Sequence, residues 1–436
     1  MKPEATFPQL QSEFDRSESG VRYYCRHMPA VFSRARNARV WDETGRAYID
    51  FLSACGSLNY GHNHPALKSR LLEYLSCDGV LASLDLHTST KREFLTAFRE
   101  LILAPRGLDY RIQFTGPTGT NAVEAALKLA RKVTGRRTVV AFTNAFHGMT
   151  LGSMSVSGRR GEPSSGHILP DGVTRLPYEG YFGAGIAELD RYAAMVDDPT
   201  GGEEPPAAII LETVQGEGGL NVASEHWLRH VAILAEKLGA LLIVDDIQAG
   251  CGRTGSFFSF ERAGIAPDIV CLSKSLSGTG LPLSVLLIAP QHDKWLPGEH
   301  NGTFRGNNLA FASASAAFGF WRDKEFLSAV RKSSQYIRAW LSNTSEKFGP
   351  VTLKPKGTGF MCGLEFARAD IAERVCRECQ ARDVLIETSG PSGEVVKVMP
   401  PLTIEPELLE EGLGRLDEAI VSVLLNSPDV GEPVAA

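Results

Sequence analysis

Apolar and polar residues alternate along most of the chain in a pattern typical of strands followed by helices. Short apolar runs predict buried strands at 110–115, 138–142, 205–213, 241–245, 269–273 and 283–289. Segments with apolar residues at helical spacing predict helices at 65–76, 90–103, 121–132 and 224–238. This alternation favours an α/β fold with a largely parallel, doubly wound sheet.

The pattern changes at both ends of the chain. Residues 39–50 are expected to form a hairpin around a Glu-Thr-Gly turn, and residues 323–348 a long helix. Two apolar runs, 360–366 and 395–401, indicate a small antiparallel sheet in the last part of the chain. We therefore predict three parts: an N-terminal arm with part of a small domain (1–60), a large domain (61–320) and a C-terminal small α+β domain (321–436).

Three segments are expected to lack regular structure. Residues 1–20 are polar, residues 158–172 are rich in glycine, serine, proline and charge, and the tail after residue 426 shows no periodicity. We predict a loose arm, a mobile loop and a disordered tail, respectively.

Composition is that of a globular protein without a surface for nucleic acid or membrane. The 436 residues are 43% apolar and 22% charged, with a formal net charge of −6 and a pI near 6.0. This balance offers no basic surface to nucleic acid or anionic lipid. The N-terminus has no apolar segment of a signal peptide, and no apolar run approaches the roughly 18 residues of a membrane span. We therefore expect a cytoplasmic location.

Cysteine and histidine raise two metal-binding hypotheses, and the sequence favours neither. The eight cysteines lie mostly singly in apolar segments, which indicates reduced, buried thiols. Cys376 and Cys379 form one C-x-x-C in a helical context, without a second pair. His62 and His64 lie in a loop with no acidic partner nearby, which favours turn and packing roles. No metal site is expected.

Two candidate catalytic side chains stand at the ends of predicted strands. Asp245 ends the apolar run 241–245, and Lys274 follows the run 269–273. Open α/β sheets bind ligands at the carboxyl ends of their strands, so an acid and a lysine placed there can face one ligand from two sides. Each residue also has an ordinary alternative, because Asp245 could cap a helix and Lys274 could form a structural salt bridge.

A glycine turn at 116–120 precedes the predicted helix at 121–132. Free backbone N–H groups at a helix N-terminus bind phosphate. The turn has no Gly-Lys-Ser/Thr sequence, so it is not a Walker P-loop, and no G-x-G-x-x-G occurs. Taken alone, the turn favours an ordinary strand–helix connection, and Phe146 after the following strand favours a core aromatic.

These residues occur in an order that resembles one known family. The motifs Asp245-Asp246-Ile247-Gln248, Gly252-Arg-Thr-Gly255 and Ser273-Lys274-Ser275 are similar to those of class III (ω-amino acid) pyridoxal-phosphate aminotransferases. The resemblance covers roughly residues 20–425. It implies the aspartate-aminotransferase fold (fold type I), with a mostly parallel seven-stranded sheet and a smaller α+β domain built from both termini, and it implies pyridoxal 5'-phosphate as cofactor.

The resemblance also implies the residues that hold this cofactor. By analogy, Lys274 binds the cofactor aldehyde and moves the substrate proton, and Asp245 keeps the pyridine nitrogen protonated; these are the two expected catalytic residues. The other expected cofactor-binding residues are Thr118, Gly119 and Thr120 at the phosphate, Phe146 on the ring face, the adjacent His147, Gln248 at the ring 3-oxygen, and Thr303. Thr303 corresponds to a phosphate ligand donated by a neighbouring subunit. A homodimer or higher homo-oligomer with shared active sites is therefore expected.

The expected substrate-binding residues are Tyr60, Glu217, Arg305 and Lys397. In the family, a glutamate pairs with an arginine that leaves the pair to bind the substrate α-carboxylate. Glu217 occupies the glutamate position, but Lys397 replaces the arginine. A lysine cannot form a bidentate ion pair with a carboxylate. Arg305 replaces a usual glycine and is the alternative cation; the sequence leaves this choice open. Tyr60 lies in a loop that lines the substrate entrance in the family.

Two loop phrases, 114–121 and 300–308, are most similar to the branch of the family that makes L-2,4-diaminobutyrate for ectoine synthesis. The resemblance implies amino transfer between L-glutamate, with 2-oxoglutarate as its product, and the amino-aldehyde L-aspartate 4-semialdehyde. Alternatives are a transaminase for ornithine, acetylornithine or 4-aminobutyrate, a diaminobutyrate enzyme of siderophore synthesis, and an aminomutase or racemase. A nucleotide-binding regulatory α/β protein with a structural Lys274 is the alternative from another class.

Overall fold

A seven-stranded sheet forms the centre of the larger part of the molecule. The computed structural model describes residues 13–158, 172–349 and 352–425. The strands run in the order Arg111–Phe114, Val285–Ile288, Ile269–Leu272, Leu241–Asp245, Ala208–Leu211, Val139–Phe142 and Val173–Leu176. Val285–Ile288 is antiparallel to both of its neighbours, and the other pairs are parallel. The predicted α/β fold with a mostly parallel sheet is confirmed.

The six predicted strands are all present, each within its predicted range. The seventh strand, Val173–Leu176, was not predicted, because Thr174 and Arg175 interrupt its apolar pattern and only Leu176 is buried. This strand lies at the edge of the sheet. An edge strand is covered less completely than a central one, so it can carry polar residues that a central strand would exclude.

Helices pack on both faces of this sheet. Val140 and Leu242 point into one hydrophobic core, and the alternate residues Val139 and Ile243 point into another. The helices of this part are Pro65–Ser76, Ser89–Ala97, Gly119–Thr134, Leu151–Val156, Ile186–Asp197, Glu225–Leu238 and Asn308–Phe318. The helix predicted at 90–103 is α-helical only to residue 97 and continues as a wider π-type turn, Phe98–Leu103.

Segments from both ends of the chain build the smaller α+β part. One four-stranded sheet joins Phe32–Arg36, Arg39–Asp42, Ala47–Asp50 and Val384–Leu385, and another joins Leu353–Thr358, Met361–Phe366, Val395–Val398 and Glu387–Ser389. The helices Lys324–Phe348, Ala369–Ala381 and Pro406–Leu425 share one core with these strands. The remaining short elements are Tyr24–His27, Ser53–Gly56 and the hairpin Val214–Gln215 with Asn221–Val222. The predicted small α+β region from both termini is confirmed.

The segments predicted to be irregular lie largely outside the described residues. This applies to 1–12 of the predicted arm, 159–171 of the predicted loop and everything from residue 426 onward. Across the described ranges, every helix is too short or too polar to span a bilayer. The division of the chain into 1–60, 61–320 and 321–436 stays a prediction.

Candidate active site

A cavity of about 430 Å³ opens at the carboxyl ends of the central strands. Asp245, the last residue of its strand, and Lys274, which follows the neighbouring strand, both line it. The same cavity is also lined by Thr118, Gly119, Thr120, Phe146, His147 and Gln248. The volume suits a small ligand. Most of the residues singled out from the sequence for cofactor binding thus meet in one place.

Lys274 is partly buried in a tight turn after its strand. The turn is fixed by two serines: the Ser273 hydroxyl donates to the Leu283 carbonyl at 2.9 Å, and the Ser275 hydroxyl donates to the Gly56 carbonyl at 2.8 Å. Burial lowers the pKa of the Lys274 amine below its ordinary value. More of the amine is therefore neutral near neutral pH, and the neutral form is the one that acts as a nucleophile or base.

Asp245 and His147 form a buried pair at the same cavity. Asp245 Oδ2 lies 2.7 Å from His147 Nδ1, and Asp245 Oδ1 accepts a hydrogen bond from the Ile247 backbone at 3.1 Å. Burial tends to lower the pKa of the His147 imidazole, but the hydrogen bond and charge of Asp245 outweigh burial and raise it. A negative carboxylate is therefore held at the cavity wall, where it can stabilise positive charge on a ligand.

The glycine turn is the N-terminus of the helix Gly119–Thr134 and faces the cavity. The Thr118 hydroxyl donates to the side-chain oxygen of Asn121 at 2.8 Å and so fixes the first turn. A Cβ at Gly119 would lie 2.8 Å from the Ile247 side chain, so this close approach requires glycine. The exposed N–H groups and the dipole of the 16-residue helix form a site for an anion such as phosphate.

Two hydroxyl groups that the sequence did not single out lie beside this turn. The Thr120 hydroxyl lies 2.8 Å from that of Thr150 and 2.5 Å from that of Ser153. Thr150 stands at the N-cap position of the short helix Leu151–Val156. A threonine before a short helix is a common pattern, so little in the sequence indicated this contact.

Two further carboxylates are buried and bind backbone amides. Glu212 accepts from the amides of Phe146 and Gly216 at 2.9 and 3.3 Å, and Asp246 accepts from the amide of Ser259 at 3.1 Å. Burial raises the pKa of each carboxylate to about 7. Through these contacts the two residues fix loops that carry residues of the cavity wall.

Lys397 is 1% exposed and contacts two carboxylates at once. Its Nζ lies 2.9 Å from Glu217 Oε1 and 2.7 Å from Glu387 Oε1. Burial tends to lower the pKa of the Lys397 amine, but the two carboxylates outweigh burial and raise it above its ordinary range. Glu217 lines the cavity, whereas Lys397 lies behind the lining residues. Lys397 is therefore a fixed positive charge held by two acids.

Gln248 lines the cavity next to Glu217. Its Nε2 donates to the Cys55 carbonyl at 3.1 Å and to Glu217 Oε1 at 3.3 Å. Within the described ranges, its buried Oε1 has no hydrogen-bond partner. Both partners of Nε2 are acceptors, so the orientation of the amide follows from its surroundings. The Gln248 carbonyl oxygen lies against Gly216, so close that a Cβ at that glycine would overlap it.

Tyr60 lies in the core and does not line the cavity, contrary to the expectation from the family resemblance. The side chain is 1% exposed, and its hydroxyl accepts a hydrogen bond from the Trp321 indole at 2.9 Å. Its ring stacks on Phe320 at a centroid distance of 5.1 Å. These contacts give Tyr60 a packing role between the two parts of the molecule.

Arg305 and Thr303 also lie outside the cavity that Lys274 lines. The Arg305 guanidinium donates to Asp85 and to the His300 carbonyl, each at 2.6 Å. Arg305 lines a separate cavity of about 230 Å³. Thr303 is exposed. Neither residue meets Lys274 within one chain.

Glu387 is the site residue that sequence reasoning missed. It stands directly opposite Lys397 in the antiparallel pair of Glu387–Ser389 and Val395–Val398, so the two side chains share one face of the sheet. Its sequence signal is an acid directly after a short apolar run. The same signal singled out Asp245, but Glu387 was not among the residues predicted from the sequence.

The residues of the cavity fit pyridoxal phosphate. The helix N-terminus suits the phosphate, Asp245 suits the pyridine nitrogen, and the partly neutral Lys274 suits the aldehyde. The Nε2 of His147 is buried and, among the residues described, has no hydrogen-bond partner.

Comparison with known proteins covers nearly the whole chain. The aminotransferase class-III family model matches residues 23–420. A diaminobutyrate–2-oxoglutarate transaminase from Halalkalibacterium halodurans is 48% identical over 411 residues, 94% of this chain and 96% of that protein. A protein of the same name from Streptomyces avermitilis is 51% identical over 418 residues, 95% of this chain and 98% of its own. Ornithine aminotransferase from Toxoplasma gondii, with partial occupancy of PLP at its active site, has a TM-score of 0.84 at 26% identity, covering 96% of this chain and 95% of that one.

Proposed function

The chain belongs to the class III aminotransferase family, and we propose that it moves an amino group between L-glutamate and L-aspartate 4-semialdehyde. The family match confirms the resemblance seen in the motifs. In this reaction L-glutamate and the semialdehyde give 2-oxoglutarate and L-2,4-diaminobutyrate. The observation that carries the proposal is the 48% and 51% identity, across nearly the whole chain, to two relatives named diaminobutyrate–2-oxoglutarate transaminase.

Class III aminotransferases use pyridoxal phosphate, and the cavity offers a group to each part of it. Lys274 would hold the aldehyde, Asp245 the pyridine nitrogen, and the turn at 118–120 the phosphate. Phe146 would face the ring, and Gln248 would reach the ring 3-oxygen. When bound, the protonated pyridine ring takes up the electron pair of the substrate carbon that loses its proton.

The protein's own side chains supply the proton transfer and the electrostatics. The Lys274 amine, which burial keeps partly neutral, takes the proton from the substrate carbon next to the reacting nitrogen and returns it to the product. Asp245, 4% exposed and held by His147, keeps a negative charge where positive charge must persist. Because these groups are shielded from water, their interactions are stronger than they would be at the surface.

We further propose a homodimer or larger homo-oligomer in which Thr303 reaches the cavity of a neighbouring subunit. The exposure of Thr303 and its distance from the Lys274 cavity of its own chain support this arrangement, together with the family resemblance. We also propose a cytoplasmic location and a role for the product in ectoine synthesis, with siderophore synthesis as the alternative route.

A half-reaction screen tests the proposed function. The purified enzyme loaded with pyridoxal phosphate is mixed with one amino donor at a time, and loss of the visible cofactor colour is followed. L-Glutamate and L-2,4-diaminobutyrate are expected to bleach the colour, and 4-aminobutyrate and ornithine to do so much more slowly. Bleaching by ornithine or 4-aminobutyrate but not by diaminobutyrate would overturn the substrate assignment.

A second assay separates transamination from a mutase or racemase. Diaminobutyrate is incubated with the enzyme either with or without 2-oxoglutarate. Continuous turnover is expected only with the keto acid, because the amino group needs an acceptor. Sustained conversion without any keto acid would contradict the proposal.

A further inference from the structure

Lys397 contacts two acids, and the strand register of the small sheet supplies one of them. Glu387 is its direct cross-strand neighbour on one side, and Gly363 is its neighbour on the other. The glycine brings no side chain to this face, so the lysine meets Glu387 at 2.7 Å and Glu217 at 2.9 Å. The position of Lys397 is thus fixed from the small sheet, while Glu217 approaches from the cavity side.

This sharing changes the charge that the cavity presents. One lysine and two carboxylates sum to one negative charge, whereas a single lysine–glutamate pair is neutral. Lys397 cannot leave for a substrate carboxylate without leaving two partly buried acids close to each other, which is unfavourable. The cluster of Glu217, Glu387 and Lys397 therefore offers the cavity an acidic group, Glu217, rather than a cation.

Glu217 is held at the cavity wall by a neighbouring amide. Gln248 Nε2 lies 3.3 Å from Glu217 Oε1 and donates to it. The Gln248 oxygen lies against Gly216, so close that a Cβ at that glycine would overlap it. The carboxylate of Glu217 therefore lines the cavity as a group that attracts an ammonium ion and repels an anion.

Lys274 and Glu217 lie at one cavity. Glu217 is also the charged group that most opposes the lowering of the Lys274 pKa by burial, which reflects the closeness of the two residues. L-2,4-Diaminobutyrate carries two amino groups on one short chain. The amino group at carbon 4 would react at the aldehyde that Lys274 would hold, so the ammonium at carbon 2 must be placed elsewhere in the cavity.

We propose that Glu217 binds the 2-ammonium group shared by L-2,4-diaminobutyrate and L-aspartate 4-semialdehyde, and that Glu387 makes this possible by taking its share of Lys397. This inference rests on the proposed function. Glu217 is thereby a specificity-determining residue, and Glu387 is a positioning residue that acts through Lys397. 4-Aminobutyrate, which lacks the 2-ammonium, gains nothing from Glu217.

The variant Glu387→Gln tests this electrostatic role. In this variant Lys397 neutralises Glu217 alone, so the KM for diaminobutyrate in the half-reaction rises roughly ten- to a hundredfold. The KM values for L-glutamate, whose only ammonium is the reacting one, and for the control donor 4-aminobutyrate stay within about threefold. The matched control is Glu365→Gln, which removes another acid of the same sheet, one that pairs with Lys354. This control should leave the KM values for all three donors unchanged.

The double variant Glu387→Gln/Lys397→Gln restores the negative charge of the cluster, because it removes one acid and one base together. The preference for diaminobutyrate over 4-aminobutyrate is expected to return to within about threefold of the wild type. A purely structural role for Glu387 predicts no such recovery. This variant also provides a second test if Glu387→Gln alone does not fold.

The outcomes separate this inference from the proposed function. If diaminobutyrate does not bleach the wild-type enzyme, the proposed function is wrong, and the inference falls with it. If diaminobutyrate does bleach it, but Glu387→Gln weakens the use of glutamate and 4-aminobutyrate as much as that of diaminobutyrate, only the inference is overturned. Failure of the double variant to recover the preference would overturn it as well.

Discussion

Two lysines near the cavity have pKa values shifted in opposite directions. Burial prevails at Lys274 and lowers its pKa, whereas two carboxylates prevail over burial at Lys397 and raise its pKa. The first amine therefore loses its proton more readily than an ordinary lysine, and the second holds its proton more firmly. Burial alone does not make a lysine reactive; the number of acids within ion-pair distance decides between these two states.

The two halves of the site are also assembled differently. Asp245 stands level with Cys271, in the strand that precedes Lys274, so the catalytic half comes from neighbouring parallel strands. The substrate half joins Glu217 and Lys397, which are 180 positions apart, across the two parts of the molecule. Variants in the first half are expected to lower kcat, and variants in the second half are expected to raise KM.

The largest expected effect is that of Lys274→Ala. Loss of the base should lower the transamination rate by about 10⁴-fold or more. Steady-state turnover with glutamate and the semialdehyde measures this loss. Lys294→Ala, at an exposed lysine, is the control and should leave turnover unchanged. Equal activity of Lys274→Ala and Lys294→Ala would contradict the catalytic role proposed for Lys274.

Asp245→Asn should have the next largest effect. The change keeps the size of the side chain but removes the charge that His147 and the ligand share, so kcat should fall about 10²–10³-fold while cofactor still binds. Asp190→Asn removes an acid from an exposed pair with His230 and serves as the control. A change in KM alone would place Asp245 in the substrate half instead.

Glu217→Gln should act mainly on KM. Without the carboxylate, the 2-ammonium of diaminobutyrate loses its charged partner, so KM should rise by roughly tenfold or more with a smaller change in kcat. Single-turnover bleaching over a range of diaminobutyrate concentrations separates the two constants. A fall in kcat at unchanged KM would contradict the assignment of Glu217 to substrate binding.

Asp246→Asn should change the pH dependence of stability by a modest amount. Burial raises the pKa of Asp246 from 3.8 to about 7 in the folded chain. Between pH 3.8 and about 7, Asp246 therefore keeps its proton in the folded state but loses it in the unfolded state. This contribution is complete below pH 3.8 and is lost as pH rises to about 7. The unfolding temperature of Asp246→Asn should therefore rise relative to wild type over this interval, by about 2–4 °C for each kcal/mol. A constant difference across the interval would contradict the raised pKa.

Arg305→Ala should have the smallest effect. Its guanidinium is held by Asp85 and lies at a separate cavity, so the KM for glutamate and for the semialdehyde should change less than about threefold. A tenfold rise in both KM values would show that Arg305 reaches the cavity of a neighbouring subunit and binds substrate carboxylate there.

Local pattern was enough to bring Asp245 and Lys274 to one place, and the family resemblance supplied the roles proposed for them. Asp245 and Lys274 each follow an unbroken apolar run, and parallel strands bring such residues to one edge of the sheet. The helix Gly119–Thr134 was likewise visible from its glycine turn and its apolar face. What pattern could not supply was the strand Val173–Leu176, whose polar residues are tolerated only because it lies at the edge.

The substrate half depends on contacts that no local pattern encodes. The replacement of arginine by Lys397 was visible in the sequence, but its second partner, Glu387, follows from the cross-strand register of the small sheet. Tyr60 was expected at the cavity and instead packs against Phe320, because burial is decided by the joining of the two parts of the molecule.

Borohydride fixation of the cofactor tests the central assignment most directly. Wild type and Lys274→Ala, each loaded with pyridoxal phosphate, are reduced, denatured and digested, and the peptides are examined for attached cofactor. The wild type should carry the cofactor on the peptide that contains Lys274, and the variant should carry none. Cofactor still attached to Lys274→Ala after reduction would contradict the account.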